Sequence, residues 1–311
     1  MLVLSPKEEN IFRWHGYADT GPFMHQMRTA LARYDLYKAG KVWDAPEPRR
    51  PHISDQAECT VLAVPVDDRL NGLCVADGAL WGLHKNTLYE LNPDTGNTLK
   101  THPVEGDEVF VDLGADETFV YLLPYGWTAG KTIRKFDRRK GEWKPGIHTE
   151  AYKTKSIYSA RGIAARGGFL YVSSHLGIQK VDPSTGNVES TVTVQVEGYR
   201  NFGLVGLDFD GDDLVGAATI EKTKLDADGK PADNWYGLDK DRPRQWALLR
   251  IDPATGKVRD FRPLNYPVNS VACAGGIYYL SETPEMGFDR ENKPVRLYPK
   301  SMGIHRLVYG R

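Results

Sequence analysis

Cysteine is scarce in this chain: three residues among 311, Cys59, Cys74 and Cys273. An odd and sparse set excludes a disulfide framework and reads as buried free thiols in a reducing compartment, so the chain is expected to be cytoplasmic. Long apolar runs are also missing. No stretch approaches the ~18 residues that a membrane helix needs. The opening "MLVLSPKEEN" has no basic segment followed by an apolar one, which argues against a secretory leader. Nor is there an excess of either charge. Forty Lys and Arg stand against 41 Asp and Glu, a formal net charge of −1, and nucleic-acid binders ordinarily carry a basic surplus. Also absent are a G-x-S-x-G elbow, a P-loop, a dinucleotide fingerprint, HExxH and CxxC.

What the chain does contain is a repeat. "LNPDTGN" at 91–97, "VDPSTGN" at 181–187 and "IDPATGK" at 251–257 are one turn written three times. Asp or Asn bonds the backbone two residues on, Pro presets φ, and Gly closes the turn at positive φ. An alternating apolar run precedes each copy and a polar, β-prone run follows, the pattern of a β-hairpin. Weaker copies are "RYDLYKAGKVW" at 33–43, "KFDRRKGEW" at 135–143 and a final "HRLVYGR" at 305–311.

A second unit precedes the hairpins: a short apolar strand, a Gly or Asp turn, then an apolar-aromatic strand. It reads "GLCVADGALWGL" from Gly72, "VDLGADETFVYLL" from Val111, "GIAARGGFLYVSS" from Gly162, "GLDFDGDDLVGAA" from Gly206 and "SVACAGGIYYLSE" from Ser270. Two strands and two more make a four-stranded antiparallel meander, and sheets of this kind bury both faces when arranged radially. The fold expected is an all-β propeller of one domain. Its blades fall at about 6–68, 69–105, 106–153, 154–196, 197–263 and 264–311. That is six, with five or seven allowed because residues 1–68 are irregular. Residues 1–5 are expected to pair into the last blade and close the ring. "PFMHQMRTALARYDLY" has room for one or two helical turns.

The strand–turn–strand unit followed by an apolar-Asp-Pro-x-Thr-Gly turn resembles the propellers of the virginiamycin B lyase, SMP-30/gluconolactonase and PQQ-repeat kind. The resemblance covers the chain from about residue 70 onward. It implies the fold, and a range of functions from lyase, lactonase and dehydrogenase to plain binding scaffold. The glycine-rich tryptophan docking motif of PQQ alcohol dehydrogenases is not evident, and no catalytic signature of these families matches residue by residue.

In a propeller, the loops entering the inner strands and those joining the second strand to the third gather on one rim around the channel, where a ligand site is expected. The second-to-third loops open at His84 and His175, with His15 at the corresponding point near the amino end. Another carries Tyr125 and Trp127, and two long ones span 219–246 and 281–303, the latter opening at Glu282. The loops entering the inner strands carry Tyr158, Tyr199 and Tyr266, with Arg161, Arg200, Asn201 and Asn269. His and Tyr together suit proton transfer, Arg pairs with a carboxylate or oxyanion, and aromatic faces stack on sugars.

The expectation is a propeller enzyme acting on a small or oligomeric carboxylate- or sugar-like substrate. His84, His175, Tyr199 and Tyr158 would act as acids and bases, and the reaction would be a lyase-like elimination or a cyclisation. His15, Tyr125, Trp127, Arg161, Arg200, Asn201, Tyr266, Asn269 and Glu282 would bind the substrate. No cofactor is required. The competing readings are a non-catalytic propeller that binds a ligand or protein, and a metal-dependent lyase or hydrolase with a divalent ion held by His15, His84 and His175. His52, His102, His148 and His305 fall at or near strand ends and read as structural. Neither nucleic acid nor membrane is an expected partner, and the oligomeric state is left open.

Overall fold

The computed structural model describes residues 2–4, 10–13, 57–62, 64, 66, 70–125, 132–149, 160–173, 177–222, 245–264, 267–282, 286–288, 294–296 and 303–309. The chain divides into two compact units. The smaller spans 1–50, 236–241 and 285–299. Within it β1 (Leu2–Leu4) pairs antiparallel with β2 (Asn10–Arg13).

The larger unit is a β-propeller of five four-stranded antiparallel sheets. Its first strand in the chain is β3 (Ala57–Leu62). Blade I holds β4 (Gly72–Ala76), β5 (Ala79–His84), β6 (Thr87–Leu91) and β7 (Thr98–Pro103). Blade II holds β8 (Phe110–Ala115), β9 (Phe119–Pro124), β10 (Ile133–Asp137) and β11 (Glu142–Ile147). Blade III holds β12 (Ile163–Arg166), β13 (Phe169–Ser173), β14 (Gly177–Val181) and β15 (Val188–Thr193). Blade IV holds β16 (Tyr199–Asp210), β17 (Asp213–Lys222), β18 (Gln245–Ile251) and β19 (Val258–Leu264). Blade V begins with β20 (Val268–Ala274) and β21 (Ile277–Glu282). In the smaller unit β22 (Met286–Phe288) then pairs with β23 (Pro294–Arg296). Blade V resumes with β24 (Ile304–Tyr309), and β3 lies outside it as the fourth strand.

The repeated turn folds as its chemistry dictates. Asn92, Asp182 and Asp252 each accept, on one side-chain oxygen, the backbone N–H two residues on, at 2.8–2.9 Å. In each, the closing Gly (Gly96, Gly186, Gly256) sits at φ of +73 to +77° and donates its N–H back to the carbonyl of the Asn or Asp. The Pro-less copy at Asp137 makes the same turn, closed by Gly141. Inner strands are buried almost without alternation, as in β4 and β20, while fourth strands such as β7 and β15 are largely exposed.

The blade count is five, the lower of the counts the repeat allows, rather than the favoured six. The span 6–68, expected as a blade of its own, instead gives its strand β3 to blade V, where it lies beside β24 of "HRLVYGR", the third strand of that blade. The strand that closes the ring comes from the amino-terminal side but is Ala57–Leu62, whereas residues 2–4 pair with β2. The candidate turn at 33–43 and the candidate helical turns of residues 22–37 lie outside the described residues.

An apolar core fills each junction between neighbouring blades. Trp81, Leu88, Phe110 and Phe136 lie between I and II, Tyr121, Ile133, Ile163 and Leu170 between II and III, and Ile178, Leu207, Leu214 and Leu249 between III and IV. Val215, Leu248, Tyr278 and Leu307 lie between IV and V, and Leu62, Leu73, Leu80 and Tyr279 between V and I. The last of these closes the circle.

At the axis one carboxyl group joins the blades. The repeated unit places Gly72, Asp112, Gly162, Gly206 and Ser270 at one level of the five inner strands. Three glycines clear the space: a Cβ on Gly72 would stand 2.6 Å from the backbone of Asp112, one on Gly162 2.9 Å from Gly206, and one on Gly206 2.3 Å from the backbone N of Val271. Into that space goes the fully buried Asp112. Its Oδ2 accepts from the N–H of Ile163 at 2.9 Å and of Leu207 at 3.3 Å, and its Oδ1 lies 2.5 Å from Ser270 Oγ. Ser270 Oγ in turn accepts the N–H of Leu73 at 2.8 Å. Every blade therefore contributes a group to one hydrogen-bonded hub. Burial pushes the Asp112 carboxyl well above its ordinary range, and the hydrogen bonds from Ser270, Ile163 and Leu207 oppose that only in part.

Candidate functional site

The register of blade V lines up three chemically active side chains. His305 of β24 lies opposite Leu280 of β21 on one side and Val61 of β3 on the other. Opposed residues share a sheet face, and so do residues two apart along a strand. Glu282 and Cys59 therefore fall on the face that carries His305, in a diagonal across three adjacent strands. The distances agree. His305 Nε2 lies 3.1 Å from Glu282 Oε2, and His305 Nδ1 lies 4.0 Å from Cys59 Sγ.

This face is packed against blade IV, and its lower part is the apolar junction of Tyr278, Leu280, Leu307 and Leu248. His305 is 5 % exposed, the Glu282 side chain is 23 % exposed, and Cys59 is open to solvent. An imidazole held in a protein wall thus has a carboxylate on one nitrogen and a thiol near the other. Partial burial raises the Cys59 thiol, so Cys59 rests as the protonated S–H. Beside it on the same face is Tyr309, whose ring the Arg262 guanidinium covers at 3.6 Å. Asp260 Oδ2 is 3.5 Å from Arg262 Nε.

The residues expected from the sequence divide into three groups. Glu282 is part of the diagonal. Asn269 stands next to it, in the bulge between Val268 and Ser270 of β20. Its Nδ2 donates to the carbonyls of Asn71 at 2.8 Å and Leu70 at 3.2 Å, a tether between blades V and I. Half-buried His84 ends β5 one residue past Leu83, as Glu282 ends β21 one residue past Ser281. Arg161 extends an exposed side chain from the start of blade III, while its N–H donates to Ser173 Oγ and its carbonyl accepts from Gly206 N. Tyr125 follows β9 with half its surface open. Tyr199 packs edge-on against Phe261 at 5.1 Å within the junction between blades III and IV, the setting of an inter-blade wedge. Arg200 and Asn201 enter β16 with their backbones paired to Glu221 and Ile220. His15, Trp127, Tyr158, His175 and Tyr266 lie outside the described residues.

Sequence reasoning missed His305, read as a strand-end residue, and Cys59, read as a buried free thiol but exposed on the outermost strand of its blade. No local signal marks them as neighbours, because they are 246 residues apart and meet through the ring-closing strand. Asp112 and Ser270 did have a signal: once the unit quoted from Val111 is shifted by one residue, the five units carry Gly72, Asp112, Gly162, Gly206 and Ser270 at one position. Among the described residues no group of three His, Cys, Asp or Glu side chains has the spacing to hold a metal ion. No described helix is long and apolar enough to cross a membrane.

No model of a known protein family matches the chain, and no curated protein matches it in sequence. Among solved structures it is similar to the glutaminyl cyclase of Myxococcus xanthus, with a TM-score of 0.52 at 15% identity, over 84% of this chain and 97% of that one. Weaker overlaps are with hydrazine synthase of Kuenenia stuttgartiensis (TM-score 0.37, 12% identity, 73% of this chain and 58% of that one) and with a chain of the mitotic checkpoint complex (TM-score 0.43, 12% identity, 86% and 97%). At 15% identity the likeness to the cyclase is one of fold, that of a β-propeller. Kinship with the virginiamycin B lyase, SMP-30 or PQQ-repeat propellers rests on the turn motif alone.

Proposed function

We propose that this propeller is an enzyme that uses acid–base chemistry to cyclise, or to eliminate a group from, a small or oligomeric polar substrate. The observation that carries the reading is the Glu282–His305 pair, 3.1 Å apart, with the carboxylate the more open of the two. Glu282 is placed to meet the substrate, and His305 exchanges a proton with it from the wall of the blade. Both reactions need a base to remove one proton and an acid to protonate the departing group, and one carboxyl group can perform the two steps in turn. The similar Myxococcus fold belongs to a cyclase, which makes ring closure the first reaction to assay. His84 and Arg161 are the described candidates for holding a substrate carboxylate or hydroxyl.

The competing reading is a ligand- or protein-binding propeller. It is favoured by Asn269, whose side chain ties blade V to blade I, and by Tyr199, which packs against the apolar junction of blades III and IV. Two substrate panels separate the readings: peptides with amino-terminal glutamine, followed by ammonia release, and uronate-containing oligosaccharides, followed by absorbance of the unsaturated product. Turnover that falls by about 100-fold or more in Glu282→Gln supports the enzyme. Thermal stabilisation by panel members with no product from any of them supports the binder.

A further inference from the structure

We propose that Cys59, His305 and Glu282 also form a nucleophilic relay, in which Cys59 accepts an acyl group from an activated ester or thioester. The proposal goes beyond acid–base turnover, because it uses the other nitrogen of His305 and a residue that chemistry does not need. It rests on the diagonal across β21, β24 and β3. The backbone register alone puts the three residues on one face, and the side chains then close to 3.1 and 4.0 Å in the order carboxylate, imidazole, thiol. Orienting group, base and nucleophile in that order make an activated nucleophile, and the contact of base with nucleophile is commonly loose before a substrate arrives.

Exposure suits these roles: His305 is buried, Glu282 is partly open, and Cys59 is exposed. The orienting pair is held in the wall, and the sulfur is open to solvent. Cys59 is the one cysteine of the three so placed, since Cys74 and Cys273 are buried in inner strands. Because the thiol rests protonated, a base must remove its proton as it attacks, and Nδ1 of His305 is the base in reach.

The step balances as follows. The Cys59 S–H proton passes to His305 Nδ1 while sulfur bonds to the carbonyl carbon. The C–O or C–S bond to the leaving group breaks, and the leaving group departs with the proton from His305. A thioester remains on Cys59. Water then attacks it, giving its proton to His305, and the carboxylic acid leaves as the thiol is restored. Glu282 is a positioning residue here: it accepts the Nε2–H and so keeps the lone pair of Nδ1 turned to sulfur. Among the described residues Tyr309 is the titratable group beside the thiol, with the Arg262 guanidinium over its ring and Asp260 next to that cation.

The first test is alkylation of the folded protein by iodoacetamide, which reads Cys59 because the other two thiols are buried. His305→Gln should slow the reaction at pH 7 at least tenfold, and Glu282→Gln by about tenfold, the usual order for loss of an orienting partner. Glu282→Asp should recover part of that loss, and the inflection in the wild-type pH–rate profile should disappear in His305→Gln. If His305→Gln does not fold, Glu282→Gln and Glu282→Asp carry the test. Rates within twofold of wild type in the folded variants overturn the relay. The second test is p-nitrophenyl acetate. A burst of one equivalent of p-nitrophenolate, with the acetyl group found by mass spectrometry on Cys59, supports the proposal. No adduct, or an adduct on a lysine, overturns it. Neither test uses a substrate of the acid–base reaction, so the two readings fail separately.

Discussion

Asp112 and Ser270 meet at 2.5 Å across the axis of the propeller, though 158 residues separate them in the chain. Through Ser270 the contact reaches Leu73, and through the other carboxyl oxygen it reaches Ile163 and Leu207. In a ring where each blade packs its apolar core on its two neighbours, such a hub adds a direct bond between blades that are not adjacent.

Asp112→Ala should therefore cost about 3–5 kcal/mol, since it strands two buried N–H groups and a buried hydroxyl at once. Asp112→Asn should cost less, about 1–2 kcal/mol, because the amide still accepts on one atom and can donate to Ser270 Oγ from the other. Chemical denaturation of the two variants beside wild type checks both the size and the order.

Room for the hub comes from glycine, which makes a second prediction. Gly72→Ala puts a methyl 2.6 Å from the Asp112 backbone, and backbone cannot swing aside as a side chain can. The expected loss is about 2–3 kcal/mol, in the range of overpacked cores. Gly78→Ala is the control for position in the blade. It sits at positive φ, unlike Gly72, and a Cβ there meets nothing within 4 Å, so its cost is backbone strain alone, about 1 kcal/mol. A melting curve that ranks Gly78→Ala below Gly72→Ala would be evidence against a close-packed axis.

The parts of the molecule legible in the sequence are those held by local chemistry. Asn92, Asp182 and Asp252 bond residues two positions away, so their turns are written within seven letters. The ring-closing strand is held by backbone pairing to a segment more than 240 residues on, and "AECTVL" carries no turn residue to announce it. That is why the closing strand and the count of blades did not follow from the repeat. The site shows the same division. Glu282 stands out because it opens a long loop, whereas Cys59 and His305 become neighbours only when the ring closes. Local appearance also misleads at Asp208. It reads as part of a surface turn around Gly211, but its Oδ2 accepts the N–H of Cys273 in the next blade at 2.7 Å.

His102 predicts acid sensitivity. It is buried in the junction between blades I and II, stacked on Trp81 at 5.6 Å and tilted against Phe136 at 4.6 Å. Burial, with Lys100 adding to it, holds its pKa below the ordinary 6.5. The unfolded chain thus takes up this proton more readily than the folded one, and stability falls as pH drops through and below 6.5. His102→Phe keeps the aromatic packing and removes the titration. Its melting temperature should decline less than that of wild type between pH 7.5 and 5, and parallel curves would show that the proton loss lies elsewhere.

Asp208 predicts the opposite slope. Burial raises its carboxyl from 3.8 to about 7, against the lowering effect of the hydrogen bonds from Cys273 and Phe209. The folded chain keeps this proton where the unfolded chain has lost it. The stabilisation is complete below 3.8 and is lost as pH rises through about 7, where the carboxylate must ionise between blades IV and V. Asp208→Asn stays neutral across that window and can still accept from Cys273. Relative to wild type it should gain stability as pH rises from 4 to 8, and a wild-type-minus-variant difference that does not change over that range would mean that Asp208 ionises freely in the folded ring. His102→Phe and Asp208→Asn tilt the stability profile in contrary directions, so the double variant should be flatter than either single one, a result that a general loosening of the fold could not produce.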